Sequence, residues 1–241
     1  MYLNEKIFCP DMKRSMLFLW TMLFGAASVF GQDADALLLK VKARLGKVKD
    51  YKGEARLVTD VSFMNIPDAR VNVYFRYPDQ FRIVKENGVS ILPKGGPSVS
   101  LNSLLSGKEF VAVPGGYATV GNRKLAVLKL LPVTENNEVV LTTLLVEESS
   151  GLVYRSTTTT RESGTFETNL EYGKYANWGL PDKVVFIFNA NAFKLPKAVT
   201  MEYEGSKKAA AQKPAGDGKG KISLFYSGYD KRPGKNGEWF Q

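Results

Sequence analysis

The chain has 241 residues, 24% of them charged, with a formal net charge of +9, no histidine and one cysteine. Without histidine, Ser-His and Cys-His catalytic pairs are excluded, and so are the usual zinc ligand sets. The one cysteine excludes an internal disulfide, so a folded domain must be stabilised by its hydrophobic core.

Residues 1–31 have the organisation of a secretory signal. Lys13 and Arg14 precede an uncharged apolar run at 16–24, and small residues follow at 25–28. This order is typical of an export signal, so we predict cleavage after Gly31. An uncleaved membrane anchor is the alternative, although the uncharged run is shorter than the roughly 20 apolar residues of a membrane span. Met12 is an alternative start.

The exported part, residues 32–241, is predicted to be a single domain. Cleavage removes Cys9 together with three basic and two acidic residues, which lowers the net charge from +9 to +8. A chain of about 210 residues buries about 70% of its unfolded surface, which suffices without disulfides. The positive charge favours anionic lipid or acidic partners. Nucleic acid is not expected as a partner, because export separates the protein from it and no binding motif occurs.

A helix is predicted over residues 34–49. Asp33 and Asp35 stand at its start, where the helix dipole favours negative charge. Apolar residues recur at the spacings of three and four that define one helical face. These residues are Leu38, Val41, Leu45 and Val48.

From Tyr51 onward, apolar residues recur at every second position, which predicts an antiparallel meander with one solvent-exposed face. The first strand contains Ala55 and Leu57. Pro78 interrupts the ladder after the second strand, because proline donates no hydrogen bond, and Asn87-Gly88 predicts a hairpin turn. The apolar positions of the second and third strands are Val71, Val73, Phe75, Tyr77, Phe81 and Ile83.

Residues 122–131 are predicted to form a short helix. Leu125, Leu128 and Leu131 lie on one helical stripe, beside Val127 and Leu130. Glycine-rich loops flank this segment, and its apolar face is unusually wide. We therefore interpret it as a cover for an apolar surface.

The second half of the chain predicts repeated short strands separated by turns. The segments are 139–146, 152–160, 165–172, 183–189, 198–204 and 221–229. Strands at such spacing indicate a sandwich, a barrel or a large curved sheet, and the helices make the class α+β. Two strands, at 139–146 and 184–188, are apolar on both faces and need cover on both. Residues 205–220 are rich in Lys, Gly and Ala, which predicts a loop.

The sequence offers no catalytic centre or metal site. No G-x-S-x-G motif occurs, and no S-x-x-K motif supports the Ser-Lys dyad that composition alone allows. Glu147 and Glu148 are adjacent, so in a strand they point to opposite faces. Asp33-Ala34-Asp35 lacks the glycine and distal glutamate of a calcium loop, and 216–221 lacks the phosphate-loop spacing. We therefore predict a binding protein without cofactor. An exported hydrolase is the alternative that an esterase or glycosidase screen would test.

Two stretches carry a resemblance to a known family. "YKGEARLVTDV" followed by "FRYPDQFRIV" and a turn at "ENG" resembles the periplasmic outer-membrane lipoprotein carrier (LolA/LolB-like) superfamily of outer membrane lipoprotein-sorting proteins. "LLVEESSGLVYRSTTTTRESGTFETNLEYGKYANWGLPDKVVFIF" is similar to its second half. The pattern covers most of 34–229. It implies an incomplete antiparallel β-barrel, a curved single sheet, with an N-terminal helix and short lid helices over a hydrophobic cavity.

The resemblance also implies a function. Such a protein is a monomeric periplasmic chaperone that sequesters acyl chains of lipoproteins or other lipids. It receives cargo from inner-membrane release machinery and passes it to an outer-membrane acceptor. A departure is that Tyr77 stands before the proline where well-known carriers have a basic residue. The alternative is a sensing or interaction module with the same fold and no lipid cargo.

The hydrophobic cavity and its lid are predicted from this resemblance. The residues expected to line them are Val71, Val73, Phe75, Tyr77, Phe81, Ile83, Leu125, Leu128, Leu131, Phe186 and Phe188.

Overall fold

The computed structural model describes residues 33–61, 67–85, 101, 105, 109–134, 137–162, 164–189 and 219–231. The helix with described bounds is α1 (Ala34–Gly46), and a 3-10 helix spans Ala176–Trp178. The strands are β1 (Asp50–Val61), β2 (Ala69–Arg76), β3 (Gln80–Lys85), β4 (Phe110–Val120), β5 (Arg123–Pro132), β6 (Val139–Glu147), β7 (Leu152–Thr160), β8 (Thr165–Glu171), β9 (Lys183–Asn189) and β10 (Lys219–Asp230). In these ranges, no helix has the length and apolarity needed to cross a membrane.

All ten strands belong to one antiparallel sheet with the order β3-β2-β1-β10-β9-β8-β7-β6-β5-β4. Strands that follow one another in the chain are hydrogen-bonded neighbours, except that β3 and β4 lie at opposite edges of the sheet. Strand β10 also pairs with β1, so it lies between β1 and β9. The sheet is open, because β3 and β4 are its two edges. The predicted α+β class and incomplete barrel are therefore confirmed.

Strand register assigns side chains to two faces of the sheet. We call the face that carries Val71, Val73 and Phe75 the inner face, and the opposite face the outer face. Val71 pairs with Ala55, and Ala55 pairs with Tyr226, so inner-face positions continue across β2, β1 and β10. Val71, Val73 and Phe75 are all buried, as the period of two predicts.

Helix α1 packs on the inner face. Its N-cap is Asp33, whose Oδ1 accepts a hydrogen bond from the Ala36 amide at 3.0 Å. The buried helical side chains are Ala34, Leu37, Leu38 and Val41. The helix contacts β4, β5 and β7. It ends at Gly46, before the predicted Lys49, and Val48 is buried just beyond its end.

The predicted helix at 122–131 is wrong, because this segment is strand β5. β5 pairs with β4 on one side and β6 on the other. Its inner-face residues Ala126, Leu128 and Leu130 are buried, while Leu125 and Leu131 alternate onto the outer face. A strand that is apolar on both faces contains leucines at many spacings, including the spacing of three that resembles a helical stripe. The positive φ of +58° at Gly121 forms the turn that joins β4 to β5.

The other predicted strands of the second half are present within the described ranges as β6, β7, β8, β9 and β10. The predicted turn after Glu148 is also present, where Gly151 has a φ of +72°. The predicted strand at 198–204, the hairpin turn at Asn87-Gly88, the signal segment and nearly all of the 205–220 loop lie outside the described residues.

Candidate functional site

An apolar space lies between the inner face and the C-terminal end of α1, and we call it the hollow. Its volume is about 70 Å³. Strands β1, β8, β9 and β10 form one side, and the chain after the 3-10 helix forms another. Its lining residues are Leu45, Val48, Tyr51, Phe81, Leu101, Leu170, Tyr172, Gly179, Leu180, Pro181, Val184, Leu224 and Tyr226.

Two basic side chains hold α1 in place beside the hollow. Arg44 Nη2 donates hydrogen bonds to the carbonyl oxygens of Ala176 at 2.6 Å and Asn177 at 3.2 Å. One turn earlier, Lys40 Nζ donates to the carbonyl oxygen of Glu148. The helix is thus tied to the 3-10 helix at one point and to the β6–β7 turn at another. Movement of α1 away from the sheet requires both attachments to break.

A cluster of tyrosines gives the hollow polar groups. Tyr51 and Tyr226 each pack on Tyr229, with ring centroids 5.3 Å and 4.8 Å apart. Tyr229 in turn donates its hydroxyl hydrogen bond to the carbonyl oxygen of Pro181 at 2.6 Å. Tyr51 and Tyr226 line the hollow, and so does Tyr172.

Burial raises the pKa of Tyr51, Tyr172 and Tyr226 above the ordinary value of a phenol. These hydroxyls therefore stay neutral at physiological pH and can donate hydrogen bonds. A ligand in the hollow meets an apolar wall with a few phenol donors, which suits a hydrocarbon chain that carries a carbonyl or ester oxygen.

Small hydroxyl side chains occupy the inner face of β6, β7 and β8. Thr142 and Thr158 are fully buried and directly opposite each other, with their hydroxyl oxygens 3.2 Å apart. Ser156 and Thr168 form the neighbouring pair and are also buried. The Thr142 and Thr158 hydroxyls are within hydrogen-bond distance of each other, and all four side chains take up little volume above the sheet.

Phenylalanines fill part of the inner face of β8 and β9. The Phe186 ring centroid lies 5.3 Å from that of Phe166 and 5.5 Å from that of Phe188. Gly220 of β10 lies directly opposite Phe188, and a Cβ added there would be 2.5 Å from the ring. This part of the sheet is therefore tightly packed.

The predicted cavity residues fall into four groups in the structure. Phe81 lines the hollow, while Val71, Val73, Phe75, Ile83 and Leu128 belong to the buried core on the inner face. Phe186 and Phe188 are buried on the inner face, among the phenylalanines rather than in the wall of the hollow. The remaining three do not face it, and they are Leu125, Leu131 and Tyr77.

These three require a correction of the prediction. Leu125 and Leu131 lie on the outer face of β5, where Leu131 is 43% exposed, so neither is part of a lid. Tyr77 follows β2 in a turn and is 42% exposed, with Lys49 Nζ 4.1 Å from its ring centroid. Proline at the next position ends the strand, so the alternation that placed Tyr77 inward stops there.

Sequence reasoning missed Arg44 and the tyrosines. For Tyr51 the sequence did offer a signal. Tyr51 lies at the same alternate positions of β1 as Ala55 and Leu57, which predicts that it lies on the same face of the sheet. Leu101 and Leu105 were also missed; both are helical, buried and part of the core. Within the described ranges, acidic and cysteine side chains form no group of three that could hold a metal ion.

The open ten-stranded sheet with α1 on its inner face is a LolA-like fold. A LolA superfamily protein from Nitrosomonas europaea matches at a TM-score of 0.54 with 14% identity, over 86% of this chain and 97% of that chain. A domain from Vibrio parahaemolyticus, described as an outer membrane lipoprotein-sorting protein domain, matches at 0.53 with 8% identity, over 85% and 97%. No protein-family model and no curated protein sequence matches the chain. The likeness at these identities is one of fold.

Proposed function

We propose that the protein is an exported, non-enzymatic carrier that binds acyl chains of lipoproteins or other lipids between α1 and the inner face. The observation that carries this proposal is the hollow itself, an apolar space on a LolA-like sheet with tyrosine hydroxyls in its wall. The names of the similar structures supply the cargo class, since one of them is described as lipoprotein-sorting. The periplasm is the proposed location and residues 1–31 the proposed export signal.

The size of the hollow sets the expected mode of binding. Ligand pockets ordinarily measure about 300–1,000 Å³, whereas the hollow measures about 70 Å³. Uptake of a chain therefore requires the space to widen, and α1 is the described element that can move to allow it. A fully buried 16-carbon chain would contribute roughly 12 kcal/mol. Partial burial in a space that must be opened gives weaker binding, which suits a cargo that has to be passed on.

A second candidate is an envelope interaction module without lipid cargo. The small volume of the hollow and the packed phenylalanines at Phe166, Phe186 and Phe188 favour this alternative. In that case the inner face is a core, and a partner protein binds elsewhere.

A cavity-filling variant separates the two candidates. Val184 lines the hollow, so Val184→Phe places a ring where a chain would enter. Val111→Phe is the matched control, because Val111 lies on the outer face and is 56% exposed. The measurement is displacement of a fluorescent fatty acid, together with native mass spectrometry of gently purified protein.

For a carrier we expect an acyl ligand in the native mass spectrum and saturable uptake of the fatty acid. Val184→Phe should reduce that uptake at least about tenfold, and Val111→Phe should retain it. Absence of both bound lipid and uptake by the unmodified protein would reject the carrier and leave the interaction module. Cell fractionation tests export, and absence of the protein from the periplasmic fraction contradicts it. N-terminal sequencing tests cleavage, and a chain that still begins at Met1 or Met12 contradicts the cleaved signal.

A further inference from the structure

A groove of about 570 Å³ crosses strands β2, β1 and β10 on the outer face of the sheet. We call it the outer groove. It lies on the opposite side of the sheet from the hollow and has a different chemistry. Three basic side chains line it, together with Glu54, Asn72 and Ser227. The basic residues are Lys52, Arg56 and Arg70.

The register places two like charges directly opposite each other in the outer groove. Arg56 of β1 pairs with Arg70 of β2, so their Cβ atoms are about 5 Å apart. Like charges in such a pair destabilise a sheet unless an anion lies near them. Asp68 provides part of this negative charge, with a carboxylate oxygen 3.2 Å from Arg56 Nη1. Arg70 is exposed and makes no ion pair or hydrogen bond within the described part of the chain.

Arg56 is held in position by an aromatic ring. Its Cζ atom lies 4.9 Å from the ring centroid of Phe225, which pairs with Arg56 across β1 and β10. A guanidinium that stacks on a ring keeps its edge free to donate hydrogen bonds. Arg56 therefore presents a fixed donor edge next to the unpaired Arg70.

A β-bulge adds polar groups to the same place. The register of β1 and β10 shifts between Glu54 and Ala55, so Ser227 is an extra residue in β10. Ser227 Oγ donates to the carbonyl oxygen of Glu54 at 3.1 Å. Bulges re-aim side chains and occur often beside functional sites. On the other side, Asn72 pairs with Glu54 across β1 and β2 and provides an amide to the groove.

The acidic residues near the outer groove do not neutralise it firmly. Glu54 is 68% exposed in its side chain and lies 3.8 Å from Lys52 Nζ, while the Arg56–Asp68 pair is also about half exposed. Exposed ion pairs of this kind contribute little to stability. An incoming anion can therefore displace Asp68 from Arg56 with little loss.

We propose that the outer groove binds a phosphate group between Arg56 and Arg70. Guanidinium groups donate paired hydrogen bonds to phosphate oxygens, and a bound phosphate also removes the repulsion between the two arginines. Asn72 lies beside them as a further donor. The phosphate has two sources, a free phosphorylated molecule or the headgroup of a membrane lipid. Lipid binding in the hollow is a separate matter, because the two sites lie on opposite faces.

The first arm of the test uses inorganic phosphate at constant ionic strength, with chloride as the reference anion. Isothermal titration and thermal unfolding are followed for the full exported chain. Arg70→Gln and Arg56→Gln each remove one guanidinium group with its paired hydrogen-bond donors, and we expect each variant to bind phosphate at least about tenfold more weakly. Lys129→Gln is the matched control, since Lys129 is exposed on the outer face of β5. This control should bind phosphate as the unmodified chain does.

The second arm uses sedimentation with phosphatidylcholine vesicles, with and without phosphatidylglycerol. Binding in the first arm alone identifies a free phosphorylated ligand, and Arg70-dependent sedimentation with the anionic vesicles identifies a headgroup. The proposal is overturned if phosphate acts no differently from chloride and the vesicles sediment no protein. It is equally overturned if Arg70→Gln and Arg56→Gln bind as well as Lys129→Gln. Val184→Phe should leave inorganic phosphate binding in the first arm unchanged, which separates this site from the hollow.

Discussion

Arg44 in α1 and Ala176 in the 3-10 helix are 132 positions apart in the chain, yet the Arg44 guanidinium donates to the Ala176 carbonyl oxygen at 2.6 Å. This hydrogen bond closes the structure around the hollow, because Leu45 on one side and Gly179 on the other both line it. Arg44 Nε is buried and has no hydrogen-bond partner among the described residues. The contact is therefore a strong attachment that carries an unsatisfied donor.

Replacement of Arg44 by methionine is expected to loosen α1. The variant loses two hydrogen bonds from a charged donor, so the free energy of unfolding should fall by about 1–3 kcal/mol. Lys47→Met is the control, because Lys47 is exposed just past the helix, and it should change stability by less than about 0.5 kcal/mol. Urea unfolding gives the stabilities, and hydrogen exchange should show faster exchange at 34–46 in Arg44→Met. Unchanged exchange there would contradict the role given to Arg44.

Two glycines of β10 should respond differently to alanine. A Cβ at Gly220 would lie 2.5 Å from the Phe188 ring, which is buried and stacked on Phe186. Overpacking of this kind costs about 1–3 kcal/mol. A Cβ at Gly228 meets nothing within 4 Å. Gly228→Ala should therefore be neutral or slightly stabilising in thermal unfolding. An equally small effect of Gly220→Ala would contradict the tight packing and show that the phenylalanine rings move aside.

The buried tyrosines predict a steep loss of stability at alkaline pH. Burial raises the pKa of Tyr51, Tyr172, Tyr226 and Tyr229 in the folded state, whereas the unfolded value is about 10. The folded state thus holds these protons more tightly than the unfolded state. The contribution of the tyrosines to the free energy of unfolding is therefore complete below pH 10 and is lost as the pH rises above 10. Above pH 10, each tyrosine lowers the free energy of unfolding by about 1.4 kcal/mol per pH unit, and the four together lower it by roughly 5 kcal/mol per pH unit.

Phenolate absorbance and circular dichroism followed from pH 8 to 13 would test this slope. We expect the buried phenols to ionise together with cooperative unfolding. Tyr172→Phe should reduce the slope by about one quarter. Gradual ionisation near pH 10 with the fold intact would contradict the burial of these rings.

The Thr142–Thr158 hydroxyl pair should behave as a unit. Thr142→Val leaves the Thr158 hydroxyl without this partner in a fully buried position, which should cost about 1–3 kcal/mol. The double variant with Thr158→Val removes both hydroxyls and should recover most of that loss. A double-mutant cycle in urea measures the coupling. Additive losses would indicate that water or the backbone already satisfies each hydroxyl.

Alternation of apolar residues was sufficient to predict most of the sheet. Val71, Val73 and Phe75 show a single face clearly, because Asn72 and Tyr74 alternate with them and an arginine flanks the run on each side. It failed at β5, where Leu125, Leu128 and Leu130 are apolar on both faces and no period is visible. The open, single-sheet form was predicted from the resemblance to a family and not from any one strand.

The contacts of the hollow could not be predicted from local patterns. Arg44 resembles any basic residue on an amphipathic helix, and only the folded chain brings it to Ala176. The position of Tyr226 and Tyr229 on one face depends on the bulge at Ser227, which changes the parity of β10. Such shifts carry no local sequence signal here, so the tyrosine cluster emerges only from the structure.

The place of β10 in the sheet has a consequence for how the protein forms. Among the described strands, β10 alone joins the β3-β2-β1 meander to the block from β9 to β4. A chain that emerges from its N-terminus can build both blocks but cannot unite them until its final strand arrives. A nascent or translocating polypeptide thus remains two separate half-sheets with open edges, available to chaperones, until synthesis or transport reaches residue 219 and beyond.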